Sequence, residues 1–238
     1  MLPAVAFPLF DFRSPRLPFP RALAIRYGTP MDPALILFRH ARSVLEQLTP
    51  NTARPFLEDW PVPQVTRCPK AAALPVLDWL AQAGAAAPPG PLATLARTAV
   101  NSARTRAWRQ TYRCGEVDAH FLERYGWFEV FGLTGPIASE ALACGLLLLG
   151  PEILYPSHDH SAEELYVPLS GTAEWQAGGA PFALRAPGEP ILHRGGEAHA
   201  MRTLESPLLA LYVWRGSGLA AKARLVPATR IAPPRDSG

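Results

Sequence analysis

His158 and His160 stand two residues apart, Glu164 follows four residues later, and His199 lies further on beyond two glycine-containing turns. Imidazole nitrogens and a carboxylate oxygen are the donors that a divalent first-row metal takes. Three histidines with one acid leave one or two coordination positions open, as a catalytic rather than a structural site requires. Four of the six histidines in the chain, at 158, 160, 193 and 199, fall in this stretch, so the metal chemistry is concentrated there. Residues i and i+2 of a strand face the same way. His158 and His160 therefore point together, and so do Glu164 and Tyr166. A turn over residues 161–163 lets the two pairs converge, while Leu165 and Val167 face the opposite, buried side. His193 reads as a core or rim histidine, and His40 and His120 as ordinary ones.

These side chains need a rigid frame. After about residue 115 the segments become short and rich in Val, Leu, Tyr, Phe and Trp, with Gly or Pro between them. Strands are expected over 127–131, 141–149, 164–169, 172–176, 182–185, 190–193 and 208–214, a spacing that argues for a sandwich or barrel. Upstream, Asp32-Pro33 forms an N-cap with proline at the first helical position. Apolar residues then recur at 34, 37, 38, 41, 44, 45 and 48 with helical period, and Pro50 is expected to end that helix. A second helix is expected over 74–83 and a third over 91–112. The third carries Arg97, Arg104, Arg106, Arg109 and Arg113 without interleaved aromatics, and reads as a solvated face rather than an anion-binding one. The fold class expected is mainly β with an α-helical N-terminal part. An N-terminal arm and helical region, 1–114, packs on a β-barrel, 115–217, that holds the metal site, and 218–238 forms a tail.

Composition narrows the function further. The 238 residues are 48% apolar with a formal net charge of +3, which supports a full core and gives no ground for nucleic acid as a partner. No apolar run reaches the ~20 residues of a membrane span, and the proline-broken N-terminus does not read as a signal peptide. The cytoplasm is therefore the expected location, and no membrane partner is expected. Cys68, Cys114 and Cys144 form no CxxC pair and read as reduced thiols. The Phe- and Pro-rich arm at 1–30 suggests a homodimer.

The run from Gly150 to His199 resembles the two cupin motifs. In the first, His158-x-His160, three residues, Glu164, six residues and Gly171 are all present, with the upstream glycine displaced to Gly150. In the second, Gly188, Gly196 and His199 fit, while Arg194 stands where proline is usual and Thr203 where asparagine is usual. The resemblance implies a double-stranded β-helix, or cupin barrel, over about 115–217. The segments around Tyr155, Glu163-Glu164-Leu165-Tyr166 and Leu211-Tyr212-Val213-Trp214 narrow the likeness to the cupin-type dimethylsulfoniopropionate (DMSP) lyases and their homologues. The helical N-terminal half is similar to that family's extra helices. That resemblance implies one divalent transition metal, which the donor set leaves as Zn, Fe, Mn, Ni or Co. It would be held by residues matching His160, Glu164 and His199, with His158 close by or ligating. Tyr166 would lie on or beside the metal, and Tyr155 and Tyr166 are the candidates for general base.

DMSP cleavage is a β-elimination: a base removes the proton α to the carboxylate, dimethyl sulfide leaves, and acrylate forms. A metal on the carboxylate oxygens would stabilise the charge that develops. A phenol of pKa ~10 is a poor base at neutral pH, and a nearby divalent cation favours the phenolate. Tyr166, two residues from Glu164, suits that role. Tyr155 has the opposite strand parity from His158 and joins the site if Pro156 breaks the alternation. A sulfonium head is attracted to aromatic faces. Trp214 reads equally as such a face and as barrel core, and Tyr212 first as core, with the same substrate role open to it. Trp127 and Trp175 read as core or rim, and Arg202 as a solvated arginine before a carboxylate partner. The leading expectation is a metal-dependent carbon–sulfur lyase acting on a small carboxylate sulfonium. The alternatives are a related cupin enzyme, an oxygenase or isomerase with another small carboxylate substrate, and a non-enzymatic binding module.

Overall fold

Asp32 caps the first helix as expected: its carboxylate accepts from the Ala34 N–H at 2.7 Å, and Pro33 takes the first helical position. In a computed structural model, residues 31–227 are described. The 1–30 arm, on which the dimer expectation rests, lies outside them. Helix α1, Pro33–Leu48, buries Ala34, Leu37, Phe38, Ala41, Val44 and Leu45, the stripe that its period marks out. Pro50 does not close the helical region. It opens α2, Pro50–Glu58, after a break at Thr49, because a missing N–H costs nothing at the first position of a helix. The second expected helix begins as a 3-10 turn, Pro75–Trp79, and becomes α3, Leu80–Ala85.

Helix α4, Pro91–Ser102, is ten residues shorter than expected. After a 3-10 turn, Ala103–Thr105, the chain runs extended and bridges Arg109 to Trp127. Trp108 decides this: its ring is buried edge-on against Phe128 at 4.8 Å, and burial of an indole outweighs the helix propensity of the Ala- and Arg-rich stretch. Arg109 therefore lies on a sheet-edge segment, not on a helix face. A short α5, Ala119–Glu123, capped by Asp118, leads into the sheets.

The strands are β1 Tyr125–Gly132, β2 Ile137–Ala138, β3 Leu142–Leu149, β4 Leu154–Asp159, β5 Glu163–Ser170, β6 Ala173–Ala177, β7 Ala183–Arg185, β8 Ile191–His193, β9 His199–Thr203, β10 Leu208–Arg215 and β11 Arg224–Leu225. They form a six-stranded sheet, β2-β1-β3-β10-β5-β8, facing a five-stranded one, β11-β4-β9-β6-β7. Seven correspond to expected segments. Four do not: β2, β4, the strand β9, which opens with His199, and the final β11, which lies in the stretch expected to be a tail. It pairs Arg224 and Leu225 with Asp159 and His158.

Two cores explain the pattern of β3, all eight of whose residues are buried. Its alternate residues Leu142, Cys144, Leu146 and Leu148 join Leu37, Leu45, Leu95, Val167 and Leu211 in a core between the helices and the outer face of the six-stranded sheet. Leu147 and Leu149 point the other way, into the barrel, with Tyr125, Tyr155, Tyr166, Trp175, Met201 and Tyr212. A strand covered on both faces reads as an unbroken apolar run. Gly145, opposite Tyr212 on β10, leaves room for that ring: a methyl there would overlap the Phe128 carbonyl oxygen and the Tyr212 hydroxyl. All three cysteines are free thiols. No helix among the described residues is long and apolar enough to cross a membrane.

Candidate metal centre and substrate cavity

The two sheets bring the distant donors together inside the barrel. β4 supplies His158, the turn after it His160, β5 Glu164 and β9 His199, which lies directly across from His158 in the strand register. His158, His160, Glu164 and His199 are each 5% exposed or less. One ring nitrogen from each of the three histidines lies within 4.8 Å of the other two. The Glu164 carboxylate sits 2.8 Å from His160 Nε2 and 3.3 Å from His199 Nε2. The four expected ligands thus form one cluster.

The far side of each imidazole fixes its orientation. His158 Nδ1 is 2.8 Å from the Pro156 carbonyl, His160 Nδ1 is 2.9 Å from that of Ala162, and His199 Nδ1 is 2.8 Å from that of Glu197. A carbonyl only accepts, so each Nδ1 carries a proton and each Nε2 is turned toward the centre. His199 Nε2 is a buried nitrogen without a hydrogen-bond partner in the protein. Carbonyl-anchored imidazoles of one tautomer aimed at a shared carboxylate are what a metal site requires of its surroundings, and these residues fit a divalent cation.

The electrostatics agree. Burial pushes the His158 imidazole well below its usual value, with the neighbouring His199 adding to the effect, so it stays neutral as a ligand must. Burial also opposes the charge on His160 and on Glu164, but their mutual hydrogen bond and attraction win. His160 is raised, and Glu164 is held well below the usual carboxylate range.

A cavity of about 390 Å³ opens above this cluster, within the usual range for a small-molecule pocket. Tyr155, His158, Glu164, Tyr166, Tyr212 and Trp214 all line it, while His160 and His199 lie beneath. Tyr155 reaches the site because the β4–β9 pairing slips between Tyr155 and His158. The break of alternation at Pro156 thus takes place. Burial raises both Tyr155 and Tyr166 phenols well above their ordinary value, and the Glu164 charge adds to this at Tyr166. The Trp214 indole stacks on His160 at 4.1 Å and 28°, so one of its faces is covered. Tyr212 packs edge-on to Trp127 at 6.3 Å.

Sequence reasoning passed over several residues. Trp127, read as core or rim, lines the cavity together with Thr111 and Tyr125. Arg109, Glu129 and Lys222 also line the cavity, and residues 219–223, expected to be tail, close one side of it. Only the register of the bridge from Arg109 to β1 and the return of β11 place them there. His193 is nearer the centre than expected: it stacks on His199 at 4.0 Å and 7°. Burial and the adjacent His199 push its pKa to about 3. Arg202 lies away from the cavity, paired with Glu174 and placed over the Phe182 ring at 4.7 Å.

The family model for dimethylsulfoniopropionate lyase matches residues 57–210. The chain belongs to the DMSP lyase family. The dimethylsulfoniopropionate lyase DddQ of Ruegeria pomeroyi is 38% identical over 109 residues, which is 46% of this chain and 54% of the relative. A putative dimethylsulfoniopropionate lyase, DddL of Cereibacter sphaeroides, is 34% identical over 130 residues, 54% of this chain and 53% of that one. The chain thus spans about half the length of these curated relatives. Among solved structures, one described with the DMSP lyases RdDddP and RnDddQII superposes with a TM-score of 0.71 at 32% identity, covering 82% of this chain and 98% of the other. DddQ from Ruegeria pomeroyi DSS-3 superposes with a TM-score of 0.65 at 26% identity, covering 79% and 96%. The family match spans the helical segment from the end of α2 onward as well as the barrel, into the first residues of β10.

Proposed function

We propose that this protein is a metal-dependent carbon–sulfur lyase that cleaves DMSP, or a close carboxylate sulfonium, into acrylate and dimethyl sulfide. The observation that carries the reading is the convergence of Tyr155, Tyr166 and the His158–His160–Glu164–His199 cluster on one small cavity, in a chain of the DMSP lyase family. When bound there, a divalent transition metal supplies a positive charge that stabilises the developing anion of the substrate carboxylate and favours the phenolate of a neighbouring tyrosine.

The chain's own residues do the rest. Tyr155, ionised to its phenolate, takes the proton from the carbon α to the carboxylate onto Oη. The C–H electron pair becomes the new C=C bond, the C–S bond breaks toward sulfur, and neutral dimethyl sulfide leaves beside acrylate. Tyr166, on the same face of β5 as Glu164, is the second candidate for the base and borders the carboxylate end. The free face of Trp214, with Tyr212 beside it, receives the sulfonium head by cation–π attraction worth ~0.5–2 kcal/mol per contact.

Following dissolved oxygen and acrylate together in metal-loaded protein given DMSP tests the reaction class. A lyase forms acrylate without oxygen uptake. Oxygen uptake, or metal-loaded protein inert at millimolar DMSP, contradicts it.

A further inference from the structure

One wall of the cavity carries a continuous row of hydroxyl and indole groups ending at Tyr155. The bridge between Arg109 and Trp127, with backbone N–H···O distances of 2.7 and 3.0 Å, sets Thr111 beside β1. Trp127 Nε1 donates to Thr111 Oγ1 at 3.1 Å, Thr111 Oγ1 lies 2.7 Å from Tyr125 Oη, and Tyr125 Oη lies 3.3 Å from Tyr155 Oη. Tyr125 is held rigidly, 1% exposed and stacked on Phe121 at 4.8 Å.

The direction of this chain follows from its two ends. An indole N–H only donates, so Thr111 Oγ1 accepts there, and its single proton is free for Tyr125 Oη. Tyr125, having accepted, turns its own proton toward Tyr155. When Tyr155 is the phenolate that acts as base, two hydroxyl protons remain in the row, and both are paired only if each points toward Tyr155 Oη.

We propose that Trp127, Thr111 and Tyr125 are positioning residues: an ordered row of donors that holds the Tyr155 phenolate oxygen where it takes the substrate α-proton. The proposal rests on the reading of Tyr155 as the base. None of the three touches the metal cluster, so their removal leaves the metal site intact.

The test uses the full metal-loaded chain with Thr111→Val, Thr111→Ser, Tyr125→Phe and Tyr155→Phe, each assayed for metal content, kcat and KM on DMSP. Loss of one donated hydrogen bond corresponds to about a tenfold fall. Thr111→Val and Tyr125→Phe are expected to lower kcat about tenfold at unchanged KM and metal content, and Thr111→Ser to restore it. In the Tyr155→Phe background, Tyr125→Phe is expected to change nothing further. If Tyr155→Phe is inactive while Thr111→Val keeps the wild-type kcat, the positioning row is wrong and the base assignment stands. If Tyr155→Phe turns over at the wild-type rate, the base assignment fails and the row falls with it. Should Tyr125→Phe fail to fold, the Thr111→Val and Thr111→Ser pair decides alone.

Discussion

Tyr155 stacks face to face on His158, ring centroids 4.2 Å apart and 13° from parallel. The two residues would point to opposite faces of a regular strand. The register slip between them on β4 turns both inward and places a phenol beside a candidate metal ligand. Tyr155→Phe keeps the ring and its stack and removes only the hydroxyl. Metal content is expected to stay at the wild-type level, and kcat to fall by ~10²–10⁴, the range for a lost general base. Elemental analysis alongside steady-state kinetics reads both. Unchanged kcat would move the base role to Tyr166.

The Glu164 carboxylate lies 2.8 Å from His160 Nε2 and 3.3 Å from His199 Nε2, and its charge is what a cation there would balance. Glu164→Gln or His199→Ala is expected to yield protein with little bound metal and no lyase activity. Ligand that binds only the folded state raises its stability by mass action, about 2.7 kcal/mol at a hundredfold excess over Kd. Dialysis of the wild type against a chelator is therefore expected to lower Tm, and readdition of one equivalent of metal to restore it. A chelator-treated protein with unchanged Tm and activity would argue against a metal centre.

Trp214 stacks on His160 and lines the cavity. Removal of a single cation–π contact worth ~0.5–2 kcal/mol raises KM about 2- to 30-fold. Trp214→Leu is expected to show that rise, and Trp214→Phe a smaller one. A KM that stays at the wild-type value in Trp214→Leu would make this ring barrel core only.

His40 supplies a pH effect far from the site. Its Nδ1 pairs with Thr98 Oγ1 at 2.9 Å, and that hydroxyl spends its own proton on the Thr94 carbonyl, so His40 donates as a neutral ring. Burial, with nearby Arg97, lowers its pKa below the ordinary 6.5. The unfolded chain then binds the proton more readily. The stabilising contribution is complete above pH ~6.5 and is lost as pH falls toward the folded value. Between about pH 7.5 and about pH 5.5, the wild-type Tm is expected to drop further than that of His40→Gln. Equal drops in thermal scans would remove His40 from the account.

Local chemistry made the donor cluster and most strands readable, because donor types at i, i+2 and i+6 and a period-2 pattern are properties of a few consecutive residues. What escaped was decided at long range. The early end of α4 depends on Trp108 finding Phe128. The cavity roles of Thr111, Tyr125 and Trp127 depend on a bridge from Arg109 to β1. The stack of His193 on His199 depends on β8 pairing with β5, which sets His193 opposite Glu164. Thr203 shows the reverse case: it departs from the cupin pattern, yet its hydroxyl donates to the Gly150 carbonyl at 2.7 Å and accepts from the Ile153 N–H at 3.1 Å, holding the turn before β4.

The central claim is that one cavity performs a β-elimination on a carboxylate sulfonium with a tyrosine as base. Proton NMR of metal-loaded wild type and Tyr155→Phe incubated with DMSP tests it most directly. The account predicts acrylate and dimethyl sulfide accumulating in equal amounts in the wild type and neither in the variant. Intact DMSP in the presence of wild-type protein with its metal bound would contradict it.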